Sequence, residues 1–316
     1  MKTFDEIYNE IQESNKDELN DVWTNAKKQK NKMNNISKII CFVIDIVLVI
    51  IFFQQTINEF SIIMTIFEIV FINLFVTIII GIFSYTSKEY KELNDKYKDL
   101  VIKKLINNFY DNVEYFPNKE MPEYIYENLD YEYYNIYRSS DYFEAQIKNK
   151  YSIQMGEVFT QEEQEYTDSD GEKETITITK FHGLFAKILI DKSINSELKI
   201  MQNGAFFLNN RLKMDSSEFE KYFDVKASNQ IIGMQLLTAD VMEQLVEFEN
   251  KTKMKFDIII KENELFLRFH SGDMFEVDNA KKDVLDKSII QKYFYMLNFT
   301  YNLSNSIINL VNDTQI

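Results

Sequence analysis

Two long apolar runs near the N-terminus constrain this chain more than any other feature. Residues 36–53 read ISKIICFVIDIVLVIIFF, with Lys38 and Asp45 as their only charges. Residues 60–85 read FSIIMTIFEIVFINLFVTIIIGIFSY, with Glu68 as their only charge. At the α-helical rise these make helices of about 27 and 39 Å, against a hydrocarbon core of about 30 Å. A helix packed on a globular core carries a polar face, and neither run has one. The expectation is a two-helix transmembrane hairpin with spans of about 36–57 and 60–85. No small-residue cleavage site follows the first run, which therefore reads as an anchor and not a signal peptide. Lys27, Lys28, Lys30, Lys32 and Lys38 precede or open the hairpin, Lys88, Lys91, Lys96, Lys98, Lys103 and Lys104 follow it, and the connector 54–59 has no basic residue. That asymmetry predicts a multi-pass protein of the cell (plasma) membrane with both termini cytoplasmic.

The chain has 316 residues, 50 acidic against 35 basic, for a net charge of −15, a field that repels nucleic acid. One cysteine excludes an intrachain disulfide, and two histidines with it are too few for a structural zinc site. Cys41 reads as a plain thiol near the cytoplasmic boundary, with palmitoylation as the alternative. No phosphate-binding glycine loop, dinucleotide fingerprint or serine elbow is present, so no cofactor and no catalytic residue is expected. His182 and His270 each close a strand-like segment, and no spacing joins them to Ser271 as a triad. Residues 157–174 hold eight acids and one lysine. With Gly171 as the sixth residue of a calcium loop, Tyr166 and Thr177 fall where Asp and Glu are required. The stretch is therefore expected to be an exposed hairpin tip without metal.

Four regions follow from the patterning. Residues 1–35 form a cytoplasmic amphipathic arm, opened by a Thr3-x-x-Glu6 capping box, with Ser14-x-x-Asp17 able to cap a second helix. Residues 36–85 are the transmembrane hairpin. Residues 86–116 are a helical stalk in which Tyr90, Leu93, Tyr97 and Leu100 are spaced 3, 4, 3. Residues 117–316 are a cytoplasmic α+β domain with a mainly antiparallel sheet and a C-terminal helix from Lys281. Its strand-like segments are 142–148, 152–162, 175–181, 185–190 and 198–201, with a hairpin at 255–269 around Glu262 and a short strand at 275–277. Ile125, Leu129 and Tyr133/Tyr134 suit one face of a helix, and Thr238 can cap a helix reaching about Asn250.

Three stretches resemble a bacterial membrane-protein family, the domain of unknown function 3137 family. They are YYNIYRSSDYFEAQIKNKYSIQMGEVFTQEEQEY from Tyr133, FHGLFAKILIDKS from Phe181, and SSEFEKYFDVKASNQIIGMQLLTADVMEQLVEF from Ser216, the last followed later by Met274-Phe275-Glu276. Asn229 and Ile232-Gly233 depart from the family pattern, where Asp and alanine-like residues are expected. The resemblance implies the same anchor-plus-domain architecture and no assigned activity. It also implies a LemA-family protein as a candidate partner.

The function expected from these features is a membrane-anchored binding or scaffold protein that engages the lipid bilayer and a protein partner. Homo-oligomerisation is compatible with it. The alternative is an oligomeric channel or transporter accessory subunit using the intramembrane polar residues Asp45, Glu68 and Asn73. By depth, Asp45 and Glu68 lie too far apart to pair, and Asn73 can hydrogen-bond across helices. The apolar stripe of the arm (Leu19, Val22, Trp23) is expected to pack on that of the stalk (Leu93, Tyr97, Leu100), within one chain or between subunits.

Overall fold

The computed structural model describes residues 1–53, 59–85, 87–167, 171–203, 211–277 and 283–313. The connector 54–58, the acidic tip 168–170 and the expected helix start at Lys281 lie outside the described residues. The chain divides into two units. One, the sheet unit, comprises Met1–Ile11, Val101–Glu276 and Leu285–Ile316; the other, the hairpin unit, comprises Gln12–Leu100 and Val277–Val284.

In the hairpin unit, α1 (Phe4–Phe53, beginning in the sheet unit) and α2 (Glu59–Tyr85) are both long and apolar enough to cross a membrane. Asn73 Nδ2 donates to Asp45 Oδ1 at 2.9 Å, so the apolar parts of the two helices lie side by side. The Thr3 capping box forms: Thr3 N donates to Glu6 Oε2 at 2.8 Å, and Glu6 N donates to Thr3 Oγ1 at 3.4 Å. The Thr3 backbone bond is the main reason that the Glu6 pKa is lowered. The expected second helix at Ser14 does not begin anew. No proline or glycine interrupts residues 1–53, and α1 runs unbroken through that position. After α2, Ser87 caps α3 (Lys88–Tyr97), its side chain accepting from Tyr90 N.

A π-helical turn at Lys98–Ile102 leads into α4 (Lys103–Phe109), which belongs to the sheet unit. The stalk expected over 86–116 ends here, because Asp111–Phe116 form strand β1, and Tyr110 at the junction is already extended. The remaining strands are β2 (Ile136–Ile147), β3 (Tyr151–Thr167), β4 (Lys173–Gln202), β5 (Phe223–Ala227) and β6 (Phe256–Phe269). They form one antiparallel sheet in the order β1-β2-β3-β4-β5, with β6 also on β4. The fold is α+β, as its sequence indicates.

Strand β4 is 30 residues long and absorbs three segments that read separately in the sequence. It continues through its polar stretch 191–197 because it is paired elsewhere along its edges: with β3 up to Ile188, with β6 from Leu184 to Ile200, and with β5 from Leu198 to Gln202. Strand β6 is likewise one strand, not the expected hairpin. Glu262 takes a left-handed φ of 53° opposite a bulge in β4 between Leu189 and Ile194, so the polar Glu262–Glu264 stretch marks a kink. Residues 275–277 form no strand; Phe275 has φ 56°, and its buried ring meets Tyr293 edge-on at 5.4 Å.

Both faces of the sheet are covered. One carries Met121, Ile125, Tyr126, Leu129, Tyr142, Val158, Phe181, Phe185, Ile259 and Phe266, supplied partly by α5 (Glu123–Glu127) and the coil after it. The helix expected through Tyr134 stops early, with Asp130 left-handed at φ 47°. On the other face, α7 (Ala239–Thr252) and α8 (Lys287–Asp313) pack by aromatic contacts: Phe248 stacks on Phe299 at 4.1 Å, and both meet Phe256. The start of α1 joins this layer, with Phe4 edge-on to Phe294 at 5.5 Å and Tyr8 Oη donating to Leu285 O at 2.9 Å. Helix α6 (Gln230–Leu236), absent from the sequence reading, is capped by Asn229, whose side chain accepts from Ile231 N and Ile232 N. Asn229 thus does what an aspartate would do there. A Cβ on Gly233 would lie 2.8 Å from Ala227 Cβ, so glycine allows α6 to sit close on β5.

Glu249 is buried on α7 and accepts from Gln202 Nε2 at 2.7 Å. Burial raises its pKa, against smaller lowering effects from Lys253 and Gln202. The folded state therefore holds this proton more tightly than the unfolded chain. Stability falls as pH rises from the ordinary carboxylate pKa through the raised one, and the penalty is in full force above it. Glu249→Gln should stabilise the protein by about 0.5–1 kcal/mol at neutral pH. The gain should vanish as pH falls through the carboxylate range, as read by melting temperature against pH.

Candidate functional site

In the hairpin unit the sequence-nominated residues fall into two places. Asp45 and Asn73 meet in the hydrogen bond described above, and Cys41 Sγ lies 4.0 Å from Asn73 O. Glu68 is exposed on α2 and, among the described residues, has no hydrogen-bond or ion-pair partner. Nearer the N-terminus, α1 runs antiparallel to α3 within one chain. Asn15 Nδ2 donates to Leu100 O at 3.0 Å, and Lys96 Nζ meets Glu18 Oε1 at 2.9 Å. Along this seam Leu19, Val22, Trp23, Leu93 and Tyr97 are buried, and Leu100 is half-buried.

The sheet unit contributes a cleft of about 300 Å³ over β2, β3 and β4, lined by Arg138, Ser140, Glu157, Phe159, His182 and Asp273. Register places them together: Arg138 is opposite Phe159, Phe159 opposite His182, and Ser140 opposite Glu157. These side chains share one face because strand residues alternate. Asp273 comes from the loop after β6, and its Oδ1 lies 2.8 Å from His182 Nε2. Glu157 is buried and accepts from Met274 N at 2.7 Å and from Ser140 Oγ at 3.3 Å. The His182 ring stands edge-on to Phe159 at 5.0 Å. Arg138 is exposed and, among the described residues, forms no ion pair, so its guanidinium is available to a carboxylate or phosphate. Among the described residues no serine hydroxyl bonds to either histidine: Ser140 donates to Glu157, and Ser271 to Gly272 O.

A second polar cluster lies under the coil after α5. The Arg268 side chain is 1% exposed. Its Nη2 meets Glu132 Oε1 at 2.8 Å, and its Nη1 lies 3.8 Å from Asp257 Oδ2. The guanidinium lies between the Tyr131 and Phe181 rings, at 4.8 and 4.5 Å. Tyr126 Oη also donates to Glu132, and His270 Nε2 lies 2.9 Å from Asp257. Burial drives the Tyr126 hydroxyl pKa up and that of Tyr131 to about 12, so both stay protonated donors at neutral pH. The cluster is internally satisfied except at Arg268 Nε, and it braces the sheet.

The patterning does not single out Arg138, Arg268 or Glu132, and it puts Glu157 in the exposed acidic stretch 157–174, whereas pairing of β3 with β2 and β4 buries it. For Arg268 a signal was present: a charge in the middle of LFLRF, a strand otherwise apolar on both faces, demands a buried carboxylate from elsewhere.

Comparison with known proteins bears on the same region. Residues 179–308 match the family described as "Protein of unknown function (DUF3137)". Two of the three resembling stretches lie inside that match, and the one from Tyr133 lies upstream of it. The cleft straddles its boundary: His182 and Asp273 are inside, while Arg138, Glu157 and Phe159 are not. No curated protein matches the chain. Among solved structures, the crystal structure of the mycobacterial trehalose monomycolate transport factor A, TtfA, aligns at 8% identity over 68% of this chain and 95% of that chain, with a TM-score of 0.34. A likeness at that level carries no functional statement.

Proposed function

We propose that this is a membrane-anchored binding or scaffold protein. In this reading α1 and α2 hold it in the cell membrane, both termini are cytoplasmic, and the sheet unit receives a protein partner at the Arg138–His182 cleft. A LemA-family protein is one candidate. The supporting observation is the exposure of apolar side chains along two adjacent helices. Phe42, Phe67, Val70 and Phe71 are 60–65% exposed. Each such side chain forgoes roughly 1.5–3 kcal/mol when left in water, and lipid removes that penalty for the whole row. The unpaired guanidinium beside an aromatic wall is the composition of an interface anchor. Conduction receives less support, since Asp45 and Asn73 are engaged with each other and Glu68 lies on its own.

A photo-crosslinking residue in place of Phe159, in the full chain in native membranes, tests the reading. The expected result is a discrete adduct with one protein, lost on Arg138→Glu, from a chain that stays in the membrane pellet after alkaline carbonate. In a Cys41→Ala background, a cysteine at Asn58 should label from outside the cell and one at Ile316 should not. Release by carbonate removes the anchor. Labelling at Ile316 places the sheet unit outside the cell. A crosslinking pattern indifferent to Arg138 removes the cleft.

A further inference from the structure

The hairpin unit holds a groove of about 560 Å³ between α1 and α3, and its two walls carry opposite charge. Lys28 and Lys32, one helical turn apart with Asn25 and Gln29 beside them, form the α1 wall, while Glu89 and Glu92 form the α3 wall. Among the described residues no ion pair within 4 Å joins either lysine to either glutamate, although the neighbouring Lys96 and Glu18 do pair across the same helices. Lys27 is occupied over the Trp23 ring at 4.2 Å. The groove is therefore wide enough to keep complementary charges apart and open to a guest that bears both signs.

The level of the groove on the helices identifies the guest. Lys32 lies four residues, about 6 Å, before the apolar run begins at Ile36, and Glu89 comes four positions after the end of α2 in the chain, in the first turn of α3. The headgroup layer beside a hydrocarbon core of about 30 Å is roughly 5–8 Å thick. Lysine stems reach several ångströms toward it. We propose that this groove holds the headgroup of an amine-bearing phospholipid, its phosphate on Lys28 and Lys32 and its ammonium on Glu89 and Glu92. A primary ammonium supplies three N–H donors to two carboxylates. A trimethylammonium supplies none, and a glycerol headgroup offers no positive charge. The inference rests on the membrane-anchored reading above.

The test uses the full chain in phosphatidylcholine nanodiscs doped with phosphatidylethanolamine or phosphatidylglycerol. It is read by native mass spectrometry of retained lipid and by emission of Trp23, the chain's one tryptophan, which neighbours Val22 on the groove lining. Phosphatidylethanolamine should be retained about tenfold over the other two lipids, the ratio expected for roughly one net charge-assisted hydrogen bond. The Lys28→Ala/Lys32→Ala variant should lose retention of all three lipids. The Glu89→Gln/Glu92→Gln variant should keep a phosphate-bearing lipid but no longer prefer the amine. All four side chains lie outside the buried seam, so both variants should keep the Trp23 environment of the lipid-free protein. Equal retention of the three lipids, preference for phosphatidylglycerol, or an amine preference that survives the glutamate variant would each overturn the assignment. Free phosphoethanolamine should give less than about a tenth of the lipid's Trp23 response. An equal response would assign the groove to a soluble phosphoamine and sink the lipid. Release of the chain by carbonate would instead defeat the anchor, a failure separate from loss of headgroup selectivity in a chain that stays membrane-bound.

Discussion

Gly183→Ala should prevent the sheet unit from reaching its native packing. A Cβ at this position would sit 1.9 Å from Phe269 O and 2.7 Å from Ser271 N, both backbone atoms that cannot swing aside. The contact arises because the chain leaving β6 turns back over β4: Gly272 N donates to His182 O at 3.2 Å, and Ser271 N donates to Phe269 O at 2.8 Å. Accommodating a methyl group would break that turn, separate Leu184 from Phe269 and displace Asp273 from His182. A loss above about 4 kcal/mol is expected, at the severe end for a single substitution. Gly272→Ala is the internal control. Gly272 has φ 66°, but no atom lies within 4 Å of its added Cβ, so its cost is confined to about 1 kcal/mol of backbone strain. Limited proteolysis and near-ultraviolet circular dichroism of both variants decide the matter. Equal behaviour of the two would mean that the close approach at Gly183 is not what demands glycine. The result also gives a physical meaning to the Phe181-x-Gly-Leu-Phe stretch that carries the family resemblance: its glycine is the place where the end of β6 touches the interior of β4.

Arg268→Ala should cost about 3–5 kcal/mol, because it strands the Glu132 carboxylate, exposes Asp257 to His270 alone and leaves a gap between two aromatic rings. For a unit of this size that is on the order of 10 °C in melting temperature. Arg268→Lys keeps the charge but forfeits the planar group between Tyr131 and Phe181, and should fall between the two. The combination Arg268→Met with Glu132→Gln should recover much of the loss, since an apolar replacement of a whole ion pair is far milder than removal of one partner. If Arg268→Ala melts within 2 °C of the parent, the network contributes little and the packing of Phe181 and Phe266 alone holds that face.

The parts of the fold that were legible depend on local physics. The apolar runs announce α1 and α2, the Thr3–Glu6 box forms, and Thr238 caps α7 where expected, its side chain accepting from Val241 N. What was misread depends on partners distant in sequence. Glu262-Asn263-Glu264 has the composition of a turn, yet the strand continues because β4 pairs with it on both sides of the kink. Residues 191–197 read as a break in β4 for the same reason. The cleft was illegible because Asp273 lies 91 positions from His182, and because Arg138 reaches it only through the pairing of Ile136–Ile147 with β3. The helical seam of the hairpin unit could be nominated from periodicity alone, whereas the charge-lined groove beside it depends on helix geometry that periodicity does not encode.

The sheet unit is discontinuous in the chain, and this affects how it can be made. Asp5 pairs with Lys287, and Tyr8 bonds to Leu285, across separations of 282 and 277 positions. A ribosome adding about 5–20 residues per second needs roughly 15–60 s to supply the second partner after the first has emerged. Throughout that interval Phe4, buried in the finished protein, lacks the Phe294 ring that it meets edge-on. The opening turns of α1 are thus an unfinished surface during synthesis, completed only when the C-terminal helix arrives. Any chain cut short before Lys287 leaves Phe4 without Phe294 and Asp5 without Lys287.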